Sequence, residues 1–133
     1  LMLLDLAPFG LTGRQGETMI REAGITLNRN SLPFDTNGPW YTSGLRIGTP
    51  AITTLGMGPE EMREIAAVLK VLVSHTKPSP VTTGPNAGTI SKARYEVEPK
   101  AMEEARSRVA ALLSRFPVYP NLDLECLEEL VGE

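Results

Sequence analysis

The chain is poor in the residues that build metal centres and nucleophile sites. It holds one cysteine, Cys126, and one histidine, His75. One thiol closes no disulfide within the chain, and without a His/Cys cluster no metal site is expected. Cysteine usage of this kind leads to the expectation of a reducing, cytoplasmic compartment. Cys126 has no basic neighbour to draw out a thiolate and reads as inert. His75 falls at the end of a predicted helix, with no serine or cysteine motif beside it, and reads as a helix-end residue. Positive charge is also short: 13 basic residues face 16 acidic ones, for a net charge of -3. Nothing in that balance supports a nucleic-acid surface. No apolar run approaches the ~20 residues that span a bilayer. The opening LMLLDLAPFG has neither the basic region nor the small-residue cleavage site of a secretory leader. The only lysines are Lys70, Lys77, Lys92 and Lys100, and none is expected in the buried apolar setting that depresses an amine's pKa and makes it a nucleophile.

What is present suffices for one domain with a modest core: 133 residues, 41% of them apolar. The opening LMLLDL is an apolar run without helical period and predicts a strand. A chain that starts inside a strand, at Leu1, reads as a piece of something larger. Thr12 and Gln15 have the T-x-x-Q spacing of a capping box, which predicts a helix from Gly13 to Ala23 that ends at Gly24. Gly13 and Gly16 weaken that helix by ~1 kcal/mol each relative to alanine, so tertiary packing must hold it. Residues 25–28 predict a second strand, and 30–39 a long turn-rich loop of the kind that binds something or moves. Residues 45–48 predict a third strand. Thr49-Pro50 pairs an N-cap residue with proline at the first helical position, which predicts a short helix.

Two strong helices follow. Pro59 opens the first, with Glu60 and Glu61 in its first turn and a stripe of Met62, Ile65, Leu69, Leu72 and Val73 running to about His75. Glu61, Arg63, Glu64 and Lys70 are placed on or near the opposite face. Pro99 opens the second, whose stripe is Met102, Ala105, Val109, Leu112, Leu113 and Phe116. Between them, residues 76–96 are rich in Pro, Gly, Ser and Thr and predict an irregular, mobile excursion. Residues 121–133 form an acidic tail. The expected architecture is α+β: a small antiparallel sheet of about three strands covered on one face by helices, with a domain over 1–120 and a tail after it.

The stretch WYTSGLRIGTPA, residues 40–51, carries the clearest chemistry. Arg46 lies inside a predicted strand between Leu45 and Ile47. A guanidinium in apolar surroundings needs an anionic partner, and its planar fork suits a carboxylate. Two readings stand at this level. One is a ligand anchor; the other is an internal ion pair with Asp5, Asp35 or a distant glutamate, which is the commoner fate of an arginine. Gly56-Met57-Gly58 before a helix lacks the further elements of a phosphate loop and reads as a turn. Trp40 and Tyr41 either stack on a planar ligand or plug the core.

The phrases GITLNRNSLPFD and TSGLRIGTPAITTLGM closely resemble the C-terminal part of serine hydroxymethyltransferase, an enzyme family of the aspartate aminotransferase fold type. LMLLDL, LTGRQGE and RFPVYP resemble the same family, so that the likeness covers roughly residues 1–75 and 96–120. The resemblance implies a pyridoxal phosphate enzyme that interconverts serine and glycine and transfers a one-carbon unit to or from tetrahydrofolate, acting as a homodimer or higher assembly. Residue by residue, it implies that Arg46 binds the substrate α-carboxylate and that Asn30, Gly38, Pro39 and Trp40 border the folate site. It also implies what is missing. The T-T-H-K segment that carries the cofactor lysine does not occur in this chain, so no catalytic residue is assigned and the piece is expected to be inactive alone. Residues 76–96 are longer than the family's usual connection. The competing reading is a free-standing carboxylate-binding or regulatory domain that reuses the small-domain fold.

Overall fold

The computed structural model describes residues 1–119; the tail expected over 121–133, with Cys126, lies outside them. Strand β1 (Met2–Asp5), strand β2 (Asn28–Asn30) and strand β3 (Gly44–Ile47) form an antiparallel sheet in the order β1-β3-β2. The central strand is thus the one that carries Arg46. Its register sets two faces. Leu45 lies across from Leu4 and Arg29, while Arg46 lies across from Leu3 and Asn28. Leu45 is fully buried and Arg46 exposed, so the alternation along β3 is the ordinary inward-outward alternation of a half-covered sheet.

Helix α1 (Gly13–Glu22) covers the inner face with Met19 and Ile20, both fully buried. Its capping box forms as the spacing predicts: Thr12 Oγ1 accepts from the Gln15 N–H at 3.2 Å, and Gln15 Oε1 accepts from the Thr12 N–H at 2.8 Å. The two helix-weakening glycines have a packing reason. A side chain on Gly16 would strike Leu6 and Leu45, and one on Gly13 would strike Thr42 and the Gly44 carbonyl. Close approach of α1 to the sheet therefore requires both.

Helix α2 (Gly38–Tyr41) is a single turn and helix α3 (Pro50–Thr54) follows β3. Helix α4 (Pro59–Ser74) and helix α5 (Pro99–Arg115) pack together and close the core, which joins Leu6, Met19, Ile20 and Leu45 to Val68, Leu72, Ala105 and Val109. Both helices open on proline as expected. Glu61 and Glu64 do not face away from the partner helix. Arg108 grips Glu64 through two bonds, Nε to Oε1 at 2.6 Å and Nη2 to Oε2 at 2.8 Å, and Arg115 reaches Glu61 at 2.9 Å. None of the described helices is long and apolar enough to cross a membrane.

The excursion expected over 76–96 is instead an antiparallel hairpin of strand β4 (Thr76–Pro80) and strand β5 (Ile90–Val97), with an irregularity between Pro78 and Pro80. Prolines withhold two ladder donors from β4, which suits an edge. In β5, Ser91, Ala93, Tyr95 and Val97 turn inward while Ile90, Lys92, Arg94 and Glu96 are exposed. The hairpin is fastened to the start of α1. The Gln15 amide donates to the carbonyls of Ser91 at 2.8 Å and Arg94 at 2.7 Å, and Thr12 Oγ1 donates to the Lys92 carbonyl at 2.7 Å. The strand expected at 25–28 also moves: the ladder begins at Asn28, while Ile25 and Leu27 pack against the core.

Candidate functional site

The site begins with the loop over residues 31–37, which is ordered by a single carboxylate. Asp35 accepts from the N–H groups of Leu32 (3.1 Å), Asn37 (2.9 Å) and Ser43 (2.7 Å) and from the Ser43 hydroxyl (2.7 Å). Partial burial pushes the Asp35 carboxyl up, but these four bonds outweigh it and bring its pKa down to about 2. Ser43 also lends its backbone carbonyl to the Leu6 N–H at 2.9 Å. Asp35 thereby ties the loop to Ser43, the residue just before β3. Gly44 follows, and any side chain there would strike Leu32 and the Asn30 carbonyl. Phe34 stands at the loop tip with φ of 62° and its side chain fully exposed.

On this frame Arg46 projects from the open face of the sheet. Its Nε donates to Asn28 Oδ1 at 3.0 Å. Among the described residues no carboxylate lies within ion-pair distance of it, and Asp5 and Asp35 are engaged elsewhere, through the Ala7 N–H and the loop. Among the described residues, then, the internal ion pair that local chemistry favours is not made. Asn28 occupies Nε and leaves the two terminal nitrogens, the pair suited to a carboxylate. Arg46 and Asn28 stand at the rim of a cavity of about 560 Å³ whose walls include Ile25, Leu27, Ile47, Ile52, Met57 and Ile65. Apolar walls weaken the competition of water for a bound anion.

The residues predicted for folate divide. Asn30 pairs with Gly44, one repeat along the same sheet face from Arg46, and its side-chain amide donates to the Ser31 carbonyl at 2.7 Å. Gly38, Pro39 and Trp40 lie on α2, away from the cavity. Trp40 does not plug the core; it is 61% exposed. The Arg14 guanidinium lies 5.2 Å from its ring centroid and that of Arg29 5.7 Å. Arg29 also pairs with Glu17 on α1.

The remaining sequence candidates fall where local rules put them. Gly56 to Gly58 form a turn, and the Glu61 carboxylate accepts from the Gly58 N–H at 2.9 Å. That bond, with the Arg115 guanidinium, holds Glu61 below the usual carboxylate range. His75 ends α4, with Nδ1 2.8 Å from the Val71 carbonyl. All four lysines are exposed, and none borders the cavity beside Arg46. The sequence reading missed Asp35 as the organiser of the loop; the Asx-turn spacing to Asn37 was the available signal.

The family model for serine hydroxymethyltransferase matches residues 1–69, the part that holds Arg46, Asn30 and α2. The serine hydroxymethyltransferase of Treponema pallidum is 56% identical over 124 residues, 92% of this chain and 21% of that protein. That of Salinispora tropica is 46% identical over 125 residues, 93% of this chain and 25% of its own length. That of Chlamydia abortus is 45% identical over 128 residues, 96% of this chain and 25% of its own. The chain thus spans a fifth to a quarter of the length of these curated relatives, and the likeness runs on through the β4–β5 hairpin, past the end of the family model. With the TSGLRIGTPA strand, its capped neighbours and its α+β frame all accounted for, this chain belongs to the serine hydroxymethyltransferase family.

Proposed function

We propose that this chain is the C-terminal small domain of a serine hydroxymethyltransferase, which interconverts serine and glycine with transfer of a one-carbon unit to or from tetrahydrofolate. Its share of that work is to hold substrate. Arg46 receives the α-carboxylate of the amino acid on its two terminal nitrogens, and Asn30 with the Gly38–Trp40 turn borders the folate. The observation that carries this reading is an arginine on the central strand, at an apolar cavity, with no carboxylate partner among the described residues. Strand pairing on both sides and the Asp35 knot fix the strand that carries it, so orientation of the substrate costs little reorganisation on binding.

Pyridoxal phosphate does not fit the residues of this chain as an attached group. A cofactor lysine needs a sheltered amine, and here every lysine is exposed. The cofactor of the whole enzyme would be held by residues outside this chain, and the chain alone would be inactive. The whole enzyme would work as a homodimer or larger assembly in the cytoplasm.

The test is kinetic, in the full-length enzyme. Arg46→Ala should raise the KM for serine by about a hundredfold, the order expected when a bidentate charged contact is lost. Arg46→Lys should fall nearly as far, since an ammonium cannot reproduce the fork. A KM like that of the wild type in Arg46→Ala would overturn the assignment. The competing reading, a free-standing carboxylate-binding domain, is separated by the intact mass of the natural gene product: a species near the 14.4 kDa of this chain would favour it.

A further inference from the structure

Asn37 is the one asparagine of the chain that a glycine follows. Such a pair is chemically labile, because glycine has no side chain to shield its backbone nitrogen from the asparagine amide. Three hydrogen bonds hold it still. The Asn37 N–H donates to Asp35 Oδ1, Asn37 Nδ2 donates to Ser43 Oγ, and the Gly38 carbonyl accepts from the Thr42 N–H, each at 2.9 Å. Asn37 has ψ of -7°, which nearly eclipses the Gly38 nitrogen with the Asn37 nitrogen and keeps it a third of a turn from Cβ. Little else guards the pair. Both residues are only half-buried, and a side chain built on Gly38 would meet nothing within 4 Å. Among the described residues no acceptor takes the Gly38 N–H. Ser43 is the link in this arrangement. Its hydroxyl gives its one proton to Asp35 Oδ1 at 2.7 Å, so toward Asn37 its oxygen can only accept.

From this we infer that Asn37 is a site of spontaneous deamidation, restrained by the bond to Ser43, and that conversion there undoes the Asp35 knot. The Gly38 nitrogen attacks Asn37 Cγ. The N–Cγ bond forms, the Cγ–Nδ2 bond breaks, and Nδ2 leaves as ammonia with the proton that Gly38 gives up. Water then opens the cyclic imide. Cleavage of the N–Cγ bond gives aspartate; cleavage at the backbone carbonyl gives isoaspartate, through whose side chain the backbone then runs. Nothing is oxidised or reduced. Either product replaces the donor facing Ser43 Oγ with a carboxylate. Two carboxylates would then compete for the single proton of Ser43, with like charges side by side. Ser43 directly precedes β3, so the loop over 31–37 would lose its fastening at the start of the strand that carries Arg46. The inference does not depend on what Arg46 binds.

The experiment incubates the full-length protein in mildly alkaline buffer and maps its peptides by mass spectrometry, which reads the exchange of nitrogen for oxygen at Asn37 as a mass gain. The native protein should convert at least about tenfold more slowly than the same protein in denaturant, since ring closure must wait for local opening. Ser43→Ala should convert about fivefold faster than the native wild type, the worth of one neutral hydrogen bond. Unchanged amide exchange in α4 and α5 certifies that this variant is folded; should it not be, the decision falls to Asn37→Asp. That variant reproduces one product and should raise amide exchange over residues 31–43 about tenfold. Asn37→Ala, which removes the donor and adds no charge, should raise it less. No conversion in denaturant, equal rates in the native and denatured protein, or a folded Ser43→Ala that converts like the wild type would each overturn the inference. Exchange in Asn37→Asp no faster than in Asn37→Ala would overturn the claim that the new carboxylate undoes the knot.

Discussion

Asp35 is the residue whose removal should be felt furthest. Its carboxylate accepts four hydrogen bonds, three from backbone N–H groups and one from Ser43. Asp35→Asn keeps the shape but turns one oxygen into a donor that faces donors. The cost follows from how far the folded site lowers the carboxyl's pKa. The folded pKa of about 2, against 3.8 for the free residue, corresponds to about 2 kcal/mol after allowance for partial exposure. The sign follows from a lowered folded pKa. The ionised form is the better bound, so the contribution is complete above pH ~4 and is lost as the pH falls through about 2. At pH 7 the variant should be less stable by about 2 kcal/mol, a Tm drop of roughly 6–12 °C for a domain of this size. The assay is thermal unfolding of wild type and variant from pH 7 downward. The gap should narrow steadily below pH 4, because the wild type loses the term and the variant never had it. Glu61 and Glu64, whose pKa values are also lowered, titrate in both proteins and cancel. A gap that is absent at pH 7, or that does not change with pH, would refute the role given to Asp35.

Two further outcomes follow from the packing of α1. Gly16→Ala should destabilise the domain by about 1–3 kcal/mol in urea unfolding, because the new methyl meets Leu6 and Leu45; the helix-propensity gain of ~1 kcal/mol is too small to reverse the sign. Gln15→Leu should leave the carbonyls of Ser91 and Arg94 without their donor and loosen the hairpin, read as at least tenfold faster amide exchange in β4 and β5 with α4 and α5 unchanged.

Much of the frame was legible because it is local. The Thr12–Gln15 box, the prolines that open α4 and α5, and the stripe of Leu69, Leu72 and Val73 are signals carried within a few residues. The hairpin was hidden by composition: Pro78 and Pro80 argue against a strand, and the long turn with Gly84 and Gly88 reads as linker. Its one signal was the alternation over Ser91, Ala93, Tyr95 and Val97. Glu61 and Glu64 were misplaced because their partners, Arg115 and Arg108, lie on another helix, and no helical period shows an ion pair made across an interface. The candidate site divides the same way. Arg46 was legible as a cation in an apolar strand. Its freedom from Asp5 and Asp35 was not, because it depends on where those carboxylates spend their hydrogen bonds. The exposure of Trp40 likewise depends on how α2 lies against α1.

The central claim is that Arg46 binds the carboxylate of an amino acid, and glycine affinity tests it most directly. Calorimetric titration of glycine into the full-length enzyme should show the Kd rising by about a hundredfold in Arg46→Ala and somewhat less in Arg46→Lys. Thermal stability should stay within about 0.5 kcal/mol of the wild type, as for an exposed side chain. Glycine binding unchanged in Arg46→Ala would contradict the account.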